Sequence, residues 1–321
     1  MNKKFYLLIY LITSFQIGFA QDNLSVREDL NVPTLNGHRF VQNQLIPQAF
    51  IKTTFGVIIG YGDSERIDFP TFQIADSLLI DTKGKLFFGT LGLEYNQKVK
   101  DWISLYFSYV LTARVGTEPA GVLTQGLNTF NGFRLGWKFK LWENNKNMLS
   151  LSTGLENYTG NFVNVFGYVS DVINNNPNPS VSEDVPVLNG TLGINHAVGF
   201  NSLLGMQSSV EIGYGESFVR GNTNFNYVLA TSLDLNMYPK WKVPVGVNLG
   251  FAYRSAPEYL SIEKESVNIF NLVIAYTGSK DLFINLEMSN SRLPVITRPS
   301  GENKSKVDVT DISLRMIYFF N

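Results

Sequence analysis

The chain has 321 residues, and its 26 Lys and Arg nearly match its 27 Asp and Glu, so a formal net charge of -1 excludes a polybasic nucleic-acid binder. It contains no cysteine, which excludes disulfide frameworks, thiolate metal sites, a cysteine nucleophile and a lipidated cysteine together. Charged residues make up 17% of it and aromatic residues 13%, low and high respectively for a soluble protein.

Residues 1–20 read as a secretory signal: Lys3 and Lys4 form a basic start, 5–15 a short apolar core, and Gly18 and Ala20 supply small residues for cleavage before Gln21. Residues 21–48 are polar, carry Pro33, Gly37 and Pro47, and form a leader without sustained periodicity. Beyond residue 20 no apolar run approaches the roughly 20 residues of a membrane-spanning helix. A membrane protein without such runs spans by a closed barrel, because only helices and closed barrels satisfy every backbone group in lipid.

From residue 49 onward a period-two alternation takes over. In 102–115 it places Ile103, Leu105, Phe107, Tyr109 and Leu111 on one face and Ser104, Ser108, Thr112 and Arg114 on the other. In 129–141 Phe133, Leu135, Trp137 and Phe139 oppose Gly132, Arg134, Lys138 and Lys140. Lipid outside and water inside is the simplest cause of such a pattern. Similar segments fall at 49–61, 85–97, 149–159, 188–200, 206–219, 225–237, 243–253, 267–277, 282–291 and 307–321. The expected fold is therefore all-β: an antiparallel up-and-down transmembrane barrel of about 12 strands spanning 49–321. Connections after the even-numbered strands are short and most others longer, notably 62–84 and 160–187, which puts both termini in the periplasm.

Within 160–187, Phe162, Phe166, Val169, Val172 and Ile173 recur at helical spacing. A short amphipathic helix is expected there, with Phe162, Phe166 and Val169 either forming a constriction over the mouth or merely covering the loop's own apolar residues. The hexapeptide from Ile59 to Ser64 recurs, with Glu for Asp, from Ile212 to Ser217, half a barrel away.

Glycine recurs on the inward face, among others at Gly56, Gly132, Gly136, Gly154, Gly213 and Gly246. Glycine in a strand marks a close approach, so the lumen has room for water, a solute or the leader folded back as a plug. Lumen-lining charges follow from parity: Lys52, Arg114, Arg134, Lys138 and Lys140 make the early strands basic, while Glu156, Glu211, Asp234, Glu287 and Asp311 make the later ones acidic. Arg315 and Glu94 break that separation. A transverse field of this kind would orient a polar or zwitterionic solute. Equally, Arg134 with Glu156 and Arg315 with Glu287 sit on adjacent strands and would neutralise each other.

The signal segment, the alternating segments and the aromatic end at Tyr318, Phe319 and Phe320 together resemble a Bacteroidetes-type outer-membrane β-barrel. That resemblance implies porin-like transport of a small-molecule solute, contact with outer-membrane lipid and recognition by the barrel-insertion machinery, without nucleic acid, cofactor or metal. The polar leader is similar to that of the long-chain fatty acid transporter family, whose leader forms a hatch inside the barrel; this chain lacks that family's Asn-Pro-Ala leader motif. A passive channel gated by the leader or by 160–187 is the first expectation, and a closed barrel with a structural or loop-binding role the second. A lipid hydrolase comes third, because outer-membrane phospholipase A is also a twelve-stranded barrel with a lipid-facing His-x-Ser pair. Here His196 faces outward, but Val198 stands where the serine belongs.

Overall fold

A computed structural model describes residues 31–320 apart from 66, 69–71, 75–77, 81–82, 115–125, 164–167, 169–170, 219–221, 257–264 and 297–303. Twelve antiparallel strands close into one barrel. They are β1 (Thr53–Ser64), β2 (Phe87–Lys100), β3 (Ile103–Arg114), β4 (Gly126–Glu143), β5 (Asn147–Val163) and β6 (Ser182–Gly199), followed by β7 (Leu204–Glu216), β8 (Thr223–Asn236), β9 (Val245–Ser255), β10 (Ser266–Tyr276), β11 (Leu282–Ile296) and β12 (Lys304–Phe320). Each pairs with its neighbours in sequence, and β12 returns to β1 through the register Phe320↔Thr53 to Val309↔Ser64. Closure leaves no unpaired sheet edge, which is what lipid demands.

The alternation maps onto two differently solvated faces. Leu286, Leu314, Ile59 and Leu91 are cross-strand partners in one continuous row around the outside, all exposed. Aromatic side chains collect at both rims of this apolar band: Trp102, Trp142, Trp241, Tyr318 and Phe320 near the short turns, and Tyr61, Tyr214, Phe225 and Tyr253 near the long loops. Such paired girdles mark the two interfaces of a bilayer. One short connection, between β8 and β9, contains a single helical turn, α1 (Tyr238–Trp241), ended by Lys242 at a positive φ of 57°.

The strands run further than side-chain alternation suggests. β6 begins at Ser182 and pairs in unbroken register with β5 as far as Val163. Outside the bilayer both faces meet water, so the pattern turns polar while the backbone ladder continues. This corrects the expectation of a helix starting at Phe162, which instead sits on β5; Phe166 and Val169 lie outside the described residues. Among the described residues, Tyr168 and 171–173 are helical.

Residues 31–52 run inside the lumen, starting near the short turns and reaching, at Ile46, Ala252, Val267 and Ile269 in the loop-side half of β9 and β10. They begin with a hairpin, Thr34–Leu35 paired with His38–Arg39. Its two-residue turn is Asn36-Gly37, with φ of 52° and 76°, the pair of positive values that a type I′ turn requires. The side chain of Asn36 donates to the backbone oxygens of Gly199 at 3.2 Å and Phe200 at 2.9 Å, pinning the turn to the β6–β7 connection. Ile51, inside the segment 49–61 that the alternation assigns to the first strand, packs instead with Leu35, Phe40 and Phe50 against Met148 and Ala197, because β1 starts only at Thr53.

Candidate functional site

Each of the four buried apolar clusters among the described residues contains a leader side chain. Val32 meets Phe283, Ile317 and Phe319; Val41 meets Val273 and Ala275; Ile46 meets Ala230, Ala252, Val267 and Ile269. These inward residues of β8 to β12 are apolar in part because they face protein rather than water. Burying a large aliphatic or aromatic side chain contributes about 1.5 to 3 kcal/mol, so these contacts hold the leader firmly.

Its backbone polar groups are met by side chains of the wall. Gln207 donates to the carbonyl of Val41 at 2.8 Å, Asn236 to that of Arg39 at 2.9 Å, Asn285 to that of Gln42 at 2.7 Å, and Arg315 to that of Asn43 at 3.0 Å. In the other direction, the amide N–H of Gln44 donates to Glu287 at 3.0 Å. The side chain of Asn43 bonds to Ser232 and Asn248, while its own oxygen accepts from the N–H of Ile46 at 2.9 Å. A segment with little secondary structure thereby satisfies its buried backbone, as it must away from water.

The inward glycines are accounted for by what lies over them. A Cβ at Gly246 would stand 2.6 Å from Val41, and one at Gly205 would run into His38 and Phe40. Gly199 lies under Leu35, and Gly250 under Leu45. On the opposite wall the glycines receive aromatic rings: Gly132 lies under Tyr158, Gly160 under Phe162 and Phe218, and the register pair Gly136 and Gly154 under Tyr106. The expected room is therefore largely filled.

The charged residues sort into specific partnerships. Arg134 on β4 binds Glu156 at 3.3 Å and also Glu211, with its guanidinium 5.5 Å from the centre of the Tyr106 ring. Arg315 turns to Glu94, with nitrogen-to-oxygen distances of 2.5 and 3.1 Å, rather than forming the expected pair with Glu287, whose carboxylate accepts from Gln44 and from Asn271 at 2.6 Å. Asp234 is buried and accepts from Gln207 at 2.9 Å and Asn248 at 2.6 Å. Lys140 reaches the rim and pairs with Glu143 at 2.7 Å. Lys52 precedes β1; burial and the nearby charge of Lys98 lower its pKa from the usual lysine value. Asp311 lies over Gly62 near the loops, and Arg114 ends β3 at that same end. Phe162 joins Phe218, Phe130 and Tyr158 in an aromatic cluster there.

Lys138 differs from these. It is 4% exposed and faces a cavity of about 170 Å3 between the leader and the wall, which Asn43, Gln44, Gln48, Glu94, Asn96, Tyr106, Ser108, Arg134, Ser152 and Arg315 also line. Sequence reasoning singled out the charges but missed Tyr106 and the amides Gln207, Asn236, Asn248, Asn271 and Asn285. The available signal was that these amides share inward parity and fall in the turn-side half of five consecutive strands.

On the outer surface, His196 accepts or donates through Nε2 to Asn147 at 3.3 Å. The residue opposite it on β7 is Ser208, whose hydroxyl bonds to Thr231 at 3.1 Å. Histidine and serine thus each have another partner, and the geometry of an activated nucleophile is not assembled.

A closed barrel of twelve strands with an apolar outer band, two aromatic girdles and a polar interior is a bacterial outer-membrane β-barrel. No family model matches the chain, and no curated protein matches it. Among solved structures it is similar to a FadL homologue from Pseudomonas aeruginosa, at 12% identity and TM-score 0.44, over 91% of this chain and 100% of that one. It is also similar to an outer membrane channel from Pseudomonas putida F1, at 12% identity and TM-score 0.49, over 88% and 100%. A third is the KdgM porin in complex with disordered oligogalacturonate, at 10% identity and TM-score 0.42, over 82% and 99%. At TM-scores below 0.5, none of these likenesses bears on what this chain carries.

Proposed function

We propose that this barrel is a channel for small solutes whose lumen is closed by its own leader, so that passage requires the leader to leave its seat. The observation that carries this reading is the docking of 31–52. Wall side chains hydrogen-bond directly to carbonyls of Arg39, Val41, Gln42 and Asn43, so the seat reads the leader's backbone and not merely its apolar bulk. A barrel with a purely structural role needs an occupied lumen but gains nothing from an occupant built as a separate, polar-seated segment. The cluster of Phe130, Tyr158, Phe162 and Phe218 narrows the loop end of the same path.

Planar-bilayer recording of the full-length mature protein and of a variant lacking 21–48 tests the proposal. Stepwise conductance is expected from the truncated barrel and little from the intact one. Equal conductance from both would rule out the leader as the gate, and none from either would rule out a channel and leave a structural or loop-binding role.

A further inference from the structure

We propose that the cavity between leader and wall is a binding site for a small carboxylate, held by the ammonium of Lys138. This names a solute class for the channel proposed above and rests on that reading for its purpose, although not for its chemistry. Two features of the structure point to it independently.

The first is the charge pattern. Arg134 is matched by Glu156 and Glu211, and Arg315 by Glu94, so the two guanidiniums that reach the cavity already have carboxylates. Lys138 has neither an ion pair nor a hydrogen bond among the described residues, although it is 4% exposed. The charges that reach it are the like charge of Arg134 and, less, the opposite charge of Glu94, which Arg315 clasps through two N–H groups. A buried ammonium without a counter-charge is costly, and a ligand carboxylate relieves that cost through a charge-assisted hydrogen bond.

The second is the space and its lining. About 170 Å3 holds five or six waters at roughly 30 Å3 each, or an acid of a few carbon atoms. The hydroxyls of Ser108 and Ser152 and the amide of Asn96 line the wall side and can donate to an anion. Asn43, Gln44 and Gln48 close the leader side with neutral amides, and the one carboxylate in the lining, Glu94, is neutralised by Arg315. Because wall and leader both line the cavity, an occupant touches each and would leave when the leader does.

Titration calorimetry of the full-length protein with sodium butyrate tests the site, with butyramide and butylammonium as size-matched controls at constant ionic strength. Saturable butyrate binding is expected, at about millimolar Kd, with the controls at least about tenfold weaker. Lys138→Met should weaken butyrate by about tenfold or more, while Lys138→Arg and the rim variant Lys140→Met retain it. Heat-modifiable gel migration reports whether each variant is folded; if Lys138→Met is not, the wild-type preference for butyrate over butyramide reads the same contact. Absence of saturable butyrate binding, equal binding of butyramide, or unchanged binding in folded Lys138→Met would overturn the site. Those results would leave the conductance test untouched, since a gated barrel need not select acids, and a barrel silent in the bilayer would still show the binding.

Discussion

His38 shows how one side chain ties the leader's seat to pH. Its ring stands edge-on to Phe40, 4.7 Å between centres, and presses on Gly205. The backbone oxygens of Ser202 and Leu203 approach it without reaching hydrogen-bond geometry, and burial pushes its pKa from 6.5 down to about 4. The neutral form is the one that fits, so the stability from docking is fully present above pH 6.5 and is lost as pH falls from 6.5 towards 4. Linkage over that interval corresponds to about 3 kcal/mol at most, at about 1.4 kcal/mol per unit. Limited proteolysis of the leader between pH 7.5 and 4.5 should show cleavage rising as the pH drops, and His38→Phe should flatten the profile. A wild-type profile already flat over that range would contradict the assignment. Tyr106 illustrates a different residue-scale point. It occupies the space above Gly136 and Gly154, which are far apart in sequence from it and from one another.

At the scale of elements, the barrel strands were legible because lipid and lumen impose opposite polarity on alternate residues, and every strand from β1 to β12 carries that mark. The seat of the leader was not legible. Asn236, Asn248 and Asn285 look the same in sequence whether they meet water or a backbone carbonyl, and a glycine announces a close approach without naming what approaches. Gly56 and Gly136 are covered by the wall's own Glu94 and Tyr106, whereas Gly205 and Gly246 are covered by the leader, and no local pattern separates the two cases. Which carboxylate Arg315 would meet was not legible either: it takes Glu94 rather than Glu287 because Gln44 of the leader takes Glu287. A consequence is testable in the seat itself. Gly246→Val would push a methyl group into Val41 while leaving the outer face of β9 unchanged, and overpacking of this kind costs about 1 to 3 kcal/mol. The barrel should fold and migrate normally, while leader cleavage by protease and open-channel events both increase. Unchanged leader protection would show that the seat yields at this point.

For the whole molecule, the outer band decides where the chain can live. Leu286 lies in the middle of the exposed apolar row shared with Leu314 and Ile59. Leu286→Arg should lower folding stability in lipid bilayers by about 2 to 4 kcal/mol, the range for an arginine facing the bilayer midplane. Arginine at Asn290, nearer the loop rim on the same face, should cost about 1 kcal/mol or less. Denaturant titration into vesicles of defined thickness measures both, and equal losses would mean that the band is misplaced. The repeated hexapeptides on β1 and β7 stand on opposite sides of the ring, each presenting its tyrosine to the same rim. They contribute matching girdle positions half a turn apart.

The leader runs into β1 with only Lys52 between the buried Ile51 and the first paired residue, Thr53. A segment joined so tightly, if it closes the lumen as proposed, behaves as a tethered ligand. Its effective concentration at the seat is on the order of millimolar or higher whatever the protein concentration, so dilution cannot strip it away and every opening is unimolecular. A free peptide of the same sequence would compete only near that concentration. On the proposed gating, the barrel carries its stopper on a leash, and the rate at which it would reseal is set by the chain rather than by its surroundings.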